Sequence, residues 1–139
     1  MRAGALALLA RREYARGELA SALQRKGYSR DAVSEALSEL AGEGLLNDGR
    51  YAESLVRQLM GRGQGPVRIR QALQEAGISP DLAAAAIEAG GDFHALATET
   101  RRRRFGAEPP TDWPERARQM RFLQYRGFSK DHIGRALGG

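Results

Sequence analysis

Apolar and polar positions along this chain follow one pattern that occurs three times. The segment at 23–37, LQRKGYSRDAVSEAL, returns at 73–87 as LQEAGISPDLAAAAI and at 123–137 as LQYRGFSKDHIGRAL, so the copies are 50 residues apart. In each copy, apolar residues at helical spacing flank a short turn that contains one glycine and one serine. The pattern predicts a helix, a tight turn and a second helix in each copy.

The turn residues of each copy suit the end of one helix and the start of the next. The glycine falls just past the first helix, where a left-handed backbone favours it, and the residue after it is placed to pack back onto that helix. The serine can cap the second helix, and an aspartate follows in its first turn. We interpret these residues as structural: Gly27, Tyr28, Ser29, Gly77, Ile78, Ser79, Gly127, Phe128 and Ser129.

The segments between the copies are also helical in spacing. Asn47 and Asp48 are cap candidates for a helix over 46–63, Gly65 and Pro66 begin another, and Asp112 with Glu115 resembles a capping box. No stretch alternates in the manner of a strand, so we expect an all-α fold of about nine helices. Units this small are stabilised by stacking. We therefore expect an elongated, curved array of three tandem three-helix (helix-turn-helix-like) repeats at 1–46, 47–90 and 91–139.

Positive charge is concentrated in the last third of the chain. The chain has 22 Lys and Arg against 17 Asp and Glu, and residues 91–139 hold 10 basic and 6 acidic side chains. An excess of arginine suits phosphate or carboxylate partners, although a GC-rich genome gives the same bias. The candidate contacts for such a partner are Arg62, Arg68, Arg70, Arg101, Arg102, Arg103, Arg104, Arg116, Arg118, Arg121 and Arg126.

The run of four arginines at 101–104 has two interpretations. Consecutive helical residues are about 100° apart, so the run fans around the helix and one or two members must approach the packed face. A solvated helix surface and a contact with phosphates or an acidic protein groove both fit. Arg68 and Arg118, 50 residues apart, are expected on one edge of the array.

Sequence motifs for catalysis are missing. The chain has no cysteine and only two histidines, which argues against disulfides, thiolate chemistry and the common zinc sites. GRGQGP at 61–66 lacks the spacing and lysine of a phosphate-binding loop, so we interpret it as a helix end and a helix start, with close backbone contact to a partner as the alternative. Aromatic residues offer no base-stacking platform, Trp113 being the one exception. We expect no enzyme activity, metal or cofactor.

The apolar segment at 3–10, AGALALLA, predicts an amphipathic helix because it runs directly into Arg11 and Arg12 without a signal-peptide cleavage site. No segment is long enough to span a membrane. The expectation is a soluble, cytoplasmic protein.

Three segments carry a resemblance that covers almost the whole chain: GLLNDGRYA at 44–52, RGQGPVRI at 62–69 and RFLQYRGFS at 121–129. They resemble the RecX family of regulatory proteins, which bind the bacterial recombinase RecA. The family commonly has two acidic residues where this chain has Asn47 and Asp48, and 90–114 fits the family least.

The resemblance implies a monomer without cofactor or catalytic site that lodges in the helical groove of the RecA filament on DNA. Such a protein suppresses strand exchange, ATP hydrolysis and co-protease activity, and so modulates homologous recombination, DNA repair and the SOS response. Single-stranded DNA inside the filament is the second expected contact.

Two rival functions are compatible with parts of the sequence. Residues 16–48 also read like a helix-turn-helix DNA-binding transcriptional regulator, which would need the β-strands of a wing after Leu46. Residues 50–60 continue with helical spacing instead. An inert helical scaffold is the other rival, and it gives the clustered arginines no purpose.

Overall fold

The chain forms nine α-helices and no strand within residues 1–138, the part that this computed structural model describes. The helices are α1 (Arg2–Arg11), α2 (Arg16–Arg25), α3 (Arg30–Gly42), α4 (Asp48–Gly61), α5 (Pro66–Glu75), α6 (Pro80–Gly90), α7 (Phe93–Phe105), α8 (Trp113–Tyr125) and α9 (Lys130–Ala136). The predicted all-α class with three three-helix units is confirmed. We call α1–α3, α4–α6 and α7–α9 the first, second and third units.

The three serine caps form as the sequence predicts. Each serine Oγ accepts the backbone N–H three residues on, at 3.2 Å for Ser29, 3.3 Å for Ser79 and 3.3 Å for Ser129. The glycines of the turns adopt positive φ angles of 98°, 83° and 94° in chain order. Each turn therefore ends one helix and starts the next by local hydrogen bonds alone.

The apolar residue after each glycine differs in environment between the copies. Ile78 and Phe128 are 5% and 4% exposed, and their N–H groups close the preceding helix by donating to Leu73 O at 3.0 Å and Leu123 O at 3.1 Å. Tyr28 is 41% exposed. The predicted packing of this residue thus occurs in two copies and is incomplete in the first.

At two predicted helix starts the cap forms, but a second, acidic side chain binds a partner other than the predicted one. Asn47 Oδ1 caps α4 by accepting Arg50 N–H at 2.9 Å, whereas Asp48 Oδ1 accepts Arg16 N–H at 2.8 Å, at the start of α2. Asp112 Oδ1 caps α8 through Glu115 N–H at 2.9 Å. Instead of completing a capping box, the Glu115 carboxylate accepts a hydrogen bond from Gln119.

Apolar side chains divide into two cores. The first unit has its own, built around five fully buried residues: Leu19, Leu23, Val33, Leu37 and Leu40. The second and third units share one continuous core that runs from Tyr51 to Leu137. Ala15, just before α2, also belongs to this shared core and anchors the first unit to it.

The joint between the first and second units is largely polar. Arg50 Nε lies 2.9 Å from Glu13 Oε2, and the Arg16–Asp48 hydrogen bond lies beside it. Burial and the negative charge of Glu18 raise the pKa of Tyr51 above its ordinary value. Charge and hydrogen bonds therefore supplement the single buried alanine here.

The second and third units meet through their backbones. Gly65 N–H donates to Arg126 O at 2.8 Å, and Val67 N–H donates to Gly127 O at 2.9 Å. A Cβ atom on Gly65 would lie 2.5 Å from Gly127 O, so the start of α5 can approach the turn before α9 only with glycine at this position. We call this contact the glycine junction.

Two observations bear on the rival functions and on membranes. Helix α4 occupies the segment where a winged DNA-binding domain needs strands, which removes that form of the rival. Every helix within residues 1–138 is too short or too polar to traverse a bilayer.

Gly65→Ala should destabilise the protein by about 1–3 kcal/mol, because the added methyl group forces two backbones apart. Gly61→Ala is the matched control, since a Cβ there meets no atom within 4 Å and its helical backbone suits alanine. Urea unfolding followed by circular dichroism measures both. Equal midpoints for the two variants would contradict the glycine junction.

Acidification should weaken the packing of α7 against α9. The rings of His94 and His132 lie edge to face with centroids 4.5 Å apart. Burial, and then the charge of His94, lowers the pKa of His132 below 6.5, although Asp131 and Asp92 oppose the shift. The folded state then binds fewer protons than the unfolded state, so stability is full above pH 6.5 and falls as the pH drops toward the lowered value.

His132→Gln tests this pH dependence. Glutamine at the third helical position keeps an acceptor for the Ser129 N–H and does not titrate. The loss in urea midpoint between pH 7.5 and 5.5 should be smaller in the variant than in the parent protein. An identical loss would assign the pH dependence to other groups.

Candidate functional site

Four arginines from three separate segments converge on one open cleft between the second and third units. The cleft has a volume of about 450 Å³ and is lined by Arg62, Arg103, Arg104 and Arg126, with the Phe122 ring between them. Among residues 1–138, the only carboxylate that also lines it is that of Glu99. The sequence predicted these arginines individually, and the fold brings them together.

The end of α4 and the turn before α9 fix the geometry of this cleft. Helix α4 ends at Gly61, and Gly63 takes a φ of 75° that turns the chain toward the glycine junction. Arg126 Nη1 donates to Arg62 O at 2.9 Å across the cleft. One guanidinium thus holds the two units together while its charge stays at the cleft surface.

Arginine side chains stack on aromatic rings along α8. The guanidinium carbon of Arg126 lies 5.2 Å from the centre of the Phe122 ring, and that of Arg68 lies 4.4 Å from the centre of the Tyr125 ring. Arg68 Nε also donates to Tyr125 O, which ties α5 to the end of α8. These contacts orient the cations in the manner of cation–π pairs.

The same stacking continues toward the end of α7. Arg104 lies 5.9 Å from the Phe122 centroid and 5.7 Å from the Phe105 centroid, and Arg118 lies 5.1 Å from the Phe105 centroid. The rings of Phe105 and Phe122 meet edge to face at 5.2 Å. Cations and rings therefore form one surface, which we call the arginine–aromatic strip: Arg68, Arg104, Arg118, Arg126, Phe105, Phe122 and Tyr125.

Most of this positive charge is uncompensated. Within residues 1–138, Arg62, Arg68, Arg104 and Arg126 have no carboxylate within 4.0 Å. Arg103 pairs with Glu99 at 2.7 Å, and Arg118 lies 3.8 Å from Glu115. Three of them, Arg62, Arg104 and Arg126, line the cleft, and guanidinium groups without a paired carboxylate attract an anion there.

The prediction that Arg101 contacts a partner at the surface is wrong, because this side chain is buried. It is 2% exposed, and its guanidinium donates to the carbonyls of Gly106, Ala107 and Glu108 at 3.1–3.2 Å. A further bond reaches Gln119 Oε1 at 3.2 Å. The run of arginines does fan around α7, and its first member folds the α7–α8 loop around itself.

The remaining predicted arginines lie outside the cleft. Arg102 lines a separate shallow depression near His94, and Arg116 donates to Leu137 O at 3.3 Å. Arg70 and Arg121 are exposed. Arg68 and Arg118, expected on one edge, both contact rings of the strip.

Sequence reasoning missed the aromatic half of the strip. Tyr125 is 72% exposed and presents its ring to solvent, whereas Trp113, which the sequence had singled out, is 67% exposed but is not part of the strip. The spacing of four residues from Arg118 to Phe122 and from Phe122 to Arg126 was the available signal, because such residues are neighbours on a helix. The partners from α5 and α7 leave no trace in local spacing.

The described residues offer no arrangement for metal chemistry. No group of three or more His, Asp or Glu side chains within residues 1–138 is placed to hold a metal ion. What the site can do is bind an anion and stack on flat groups.

Comparison with known proteins covers nearly the whole chain. Sequence profiles for the first, second and third three-helix domains of RecX match residues 2–40, 47–87 and 92–137. Regulatory protein RecX of Halorhodospira halophila is 48% identical over 134 residues, which is 96% of this chain and 83% of that protein. Regulatory protein RecX of Pseudomonas fluorescens is 43% identical over 140 residues, which is 100% of this chain and 90% of that protein.

Solved structures give the same picture. The crystal structure of RecX from Lactobacillus salivarius matches with a TM-score of 0.82 and 27% identity, over 98% of this chain and 91% of that one. A second crystal structure, of a regulatory protein RecX, shares the fold with a TM-score of 0.73 at 24% identity, over 96% of this chain and 70% of that one.

Proposed function

This chain belongs to the RecX family of regulatory proteins, and from that premise we propose that it binds the RecA–DNA filament in its helical groove and inhibits the recombinase. The inhibited activities are strand exchange, ATP hydrolysis and co-protease activity. The protein acts as a cytoplasmic monomer without cofactor, and it modulates homologous recombination, DNA repair and the SOS response.

The arginine–aromatic strip is the observation that supports a contact with DNA. Guanidinium groups held beside rings keep further N–H groups available for phosphate oxygens, because each has five N–H donors. An exposed ring such as Tyr125 offers a face on which a base can stack, at about 1–3 kcal/mol per base. We assign the strip to the single-stranded DNA enclosed by the filament and the remaining surface to the recombinase.

A tandem array suits a long helical host. Each unit adds a modest contact, and the tether between units turns the later contacts into intramolecular ones. The shared core and the glycine junction hold the second and third units in one orientation. Two units therefore present one preorganised surface, which lowers the ordering entropy lost on binding.

Inhibition of ATP hydrolysis requires a preference between filament states. A bound protein shifts an equilibrium only by its differential affinity for the two states. An array that bridges neighbouring recombinase subunits in the groove favours the state whose subunit spacing matches its own. Catalytic groups on the regulator are unnecessary for this mechanism.

Titration of the protein into RecA on single-stranded DNA should lower the rate of ATP hydrolysis in proportion to groove occupancy, because each bound molecule restrains the subunits that it bridges. A coupled ATPase assay with parallel cosedimentation measures both quantities. Full inhibition far below saturation would indicate capping of filament ends instead. Unchanged hydrolysis on saturated filaments would contradict the proposal.

Replacing Arg62 and Arg104 together with Gln should weaken binding to a single-stranded oligonucleotide about tenfold at low salt, because two phosphate contacts are lost. The slope of log K against log salt should fall by roughly 1.4, at about 0.7 per contact on a single strand. Fluorescence anisotropy across a salt series gives both values.

The matched control removes the same charge elsewhere. Arg11 and Arg57 are exposed and lie outside the cleft, so Arg11→Gln with Arg57→Gln should leave the salt slope close to that of the parent. If both double variants lose affinity equally, net charge determines binding, and neither the cleft nor the strip beside it is the specific contact.

A further inference from the structure

The turn between the last two helices of a unit receives the preceding unit. In the glycine junction, the turn before α9 offers the carbonyls of Arg126 and Gly127 to the N–H groups of Gly65 and Val67 at the start of α5. The receiving turn is therefore a docking surface for a helix N-terminus with a small first residue.

The turn of the second unit receives the first unit in an equivalent place. Ala15 and Gly17 lie 50 residues before Gly65 and Val67, and a Cβ atom on Gly17 would lie 3.4 Å from Ala76 O and 3.8 Å from Gly77 Cα. Ala15 is fully buried there. The sequence repeat therefore also repeats the contact between units: each time, a helix with a small residue at its cap packs against the turn of the next unit.

The turn of the first unit is the same surface without an occupant in the described chain. A Cβ atom on Gly27 would meet no atom within 4 Å, and Tyr28 is 41% exposed where its counterparts are 5% and 4% exposed. Within residues 1–138, Lys26 O and Gly27 O accept no hydrogen bond, whereas their counterparts in the third unit each accept one; in the second unit the contact is by close approach of Gly17 to Ala76 O, without a hydrogen bond.

The rim of this open turn is basic. Arg25, Lys26 and Arg30 are exposed, and none of them forms an ion pair within residues 1–138. A helix N-terminus carries partial positive charge, so these cations repel it unless its first turn is acidic. An incoming helix with Asp or Glu in its first turn satisfies both the carbonyls and the cations.

The third unit of another copy does not fit this surface. Helix α8 begins with Asp112 at the cap, where the glycine junction has space only for glycine, and Pro114 has no N–H at the position where Val67 donates. Continuation of the array by self-assembly is therefore disfavoured on steric and hydrogen-bonding grounds.

We propose that the open turn of the first unit, Arg25 to Arg30, docks the N-terminal end of a helix from a partner protein. That helix has a small residue at its cap and an acidic first turn. The partner packs as one unit packs onto the next at the other two turns, with its N–H groups on Lys26 O and Gly27 O and its carboxylates on the three cations. The inference rests on the proposed function, in which the partner protein is the recombinase.

Arg30→Glu is the test, and Lys130→Glu is its matched control. Both residues occupy the first position after the capping serine, 100 residues apart, and both are exposed. Each reversal therefore has the same effect on its own helix. Binding of labelled protein to RecA assembled on single-stranded DNA is measured by anisotropy, with the bare oligonucleotide as a second probe.

Arg30→Glu should weaken filament binding about tenfold, because a cation that meets a carboxylate becomes a repelling charge. Lys130→Glu should stay within about twofold of the parent, and the affinity of Arg30→Glu for the bare oligonucleotide should match that of Lys130→Glu. Tyr28→Ser should weaken filament binding in the same direction.

Three results would overturn the inference while leaving the proposed binding and inhibition of the filament intact. The first is that Arg30→Glu binds filaments as tightly as the parent protein. The second is that Arg30→Glu loses as much affinity for the bare oligonucleotide as for the filament, which would assign the turn to phosphate. The third is that the parent protein forms concentration-dependent dimers in sedimentation equilibrium and Arg30→Glu abolishes them. Failure of the parent protein itself to bind filaments would overturn the proposed function and this inference together.

Discussion

The turn that follows the second helix of a unit is the element on which the rest of the structure depends. Its glycine ends one helix and its serine starts another, and in two of three copies its outer surface also holds the preceding unit. Because one short segment has both tasks, helix geometry and unit stacking are fixed together. The spacing of 50 residues is the consequence, since a change of spacing within a unit would move the turn away from the helix start that it receives.

Much of the fold was predictable because its determinants are local. Serine caps, positive-φ glycines and helical spacing act within about one turn of helix, so they are readable in a single sequence. The sharing of one core between two units was not readable, since it depends on how α4 to α9 pack across a distance of many residues. Asp48 illustrates the limit: it was predicted as a cap candidate for α4, but Asn47 caps that helix, and Asp48 accepts the N–H of Arg16, 32 residues earlier.

The sequence predicted which arginines are candidates for the site, but it did not predict how they are arranged in space. Arginine counts identified the members, and only the fold showed that Arg62, Arg104 and Arg126 meet at one cleft while Arg101 lies inside the third unit. The four arginines have equal chemistry, and the local signal for Arg101 was its spacing of eight and four residues from Phe93 and Ala97, which share the buried face of α7. The stacked rings have no such local signal, since Tyr125 meets Arg68 only after α5 and α8 have packed.

The hydrogen bond from Arg16 N–H to Asp48 has a consequence for synthesis. Ala15 offers no side-chain oxygen to the start of α2, so the acceptor comes from a residue that the ribosome adds 32 positions later. While the first unit is the only part of the nascent polypeptide outside the exit tunnel, the N–H of Arg16 lacks this protein acceptor, and only the local bond from Ala15 N–H to Glu18 is available at the start of α2. The hydrogen bond to Asp48 forms only after the start of the second unit has emerged, so the joint between the two units is assembled later than the core of the first.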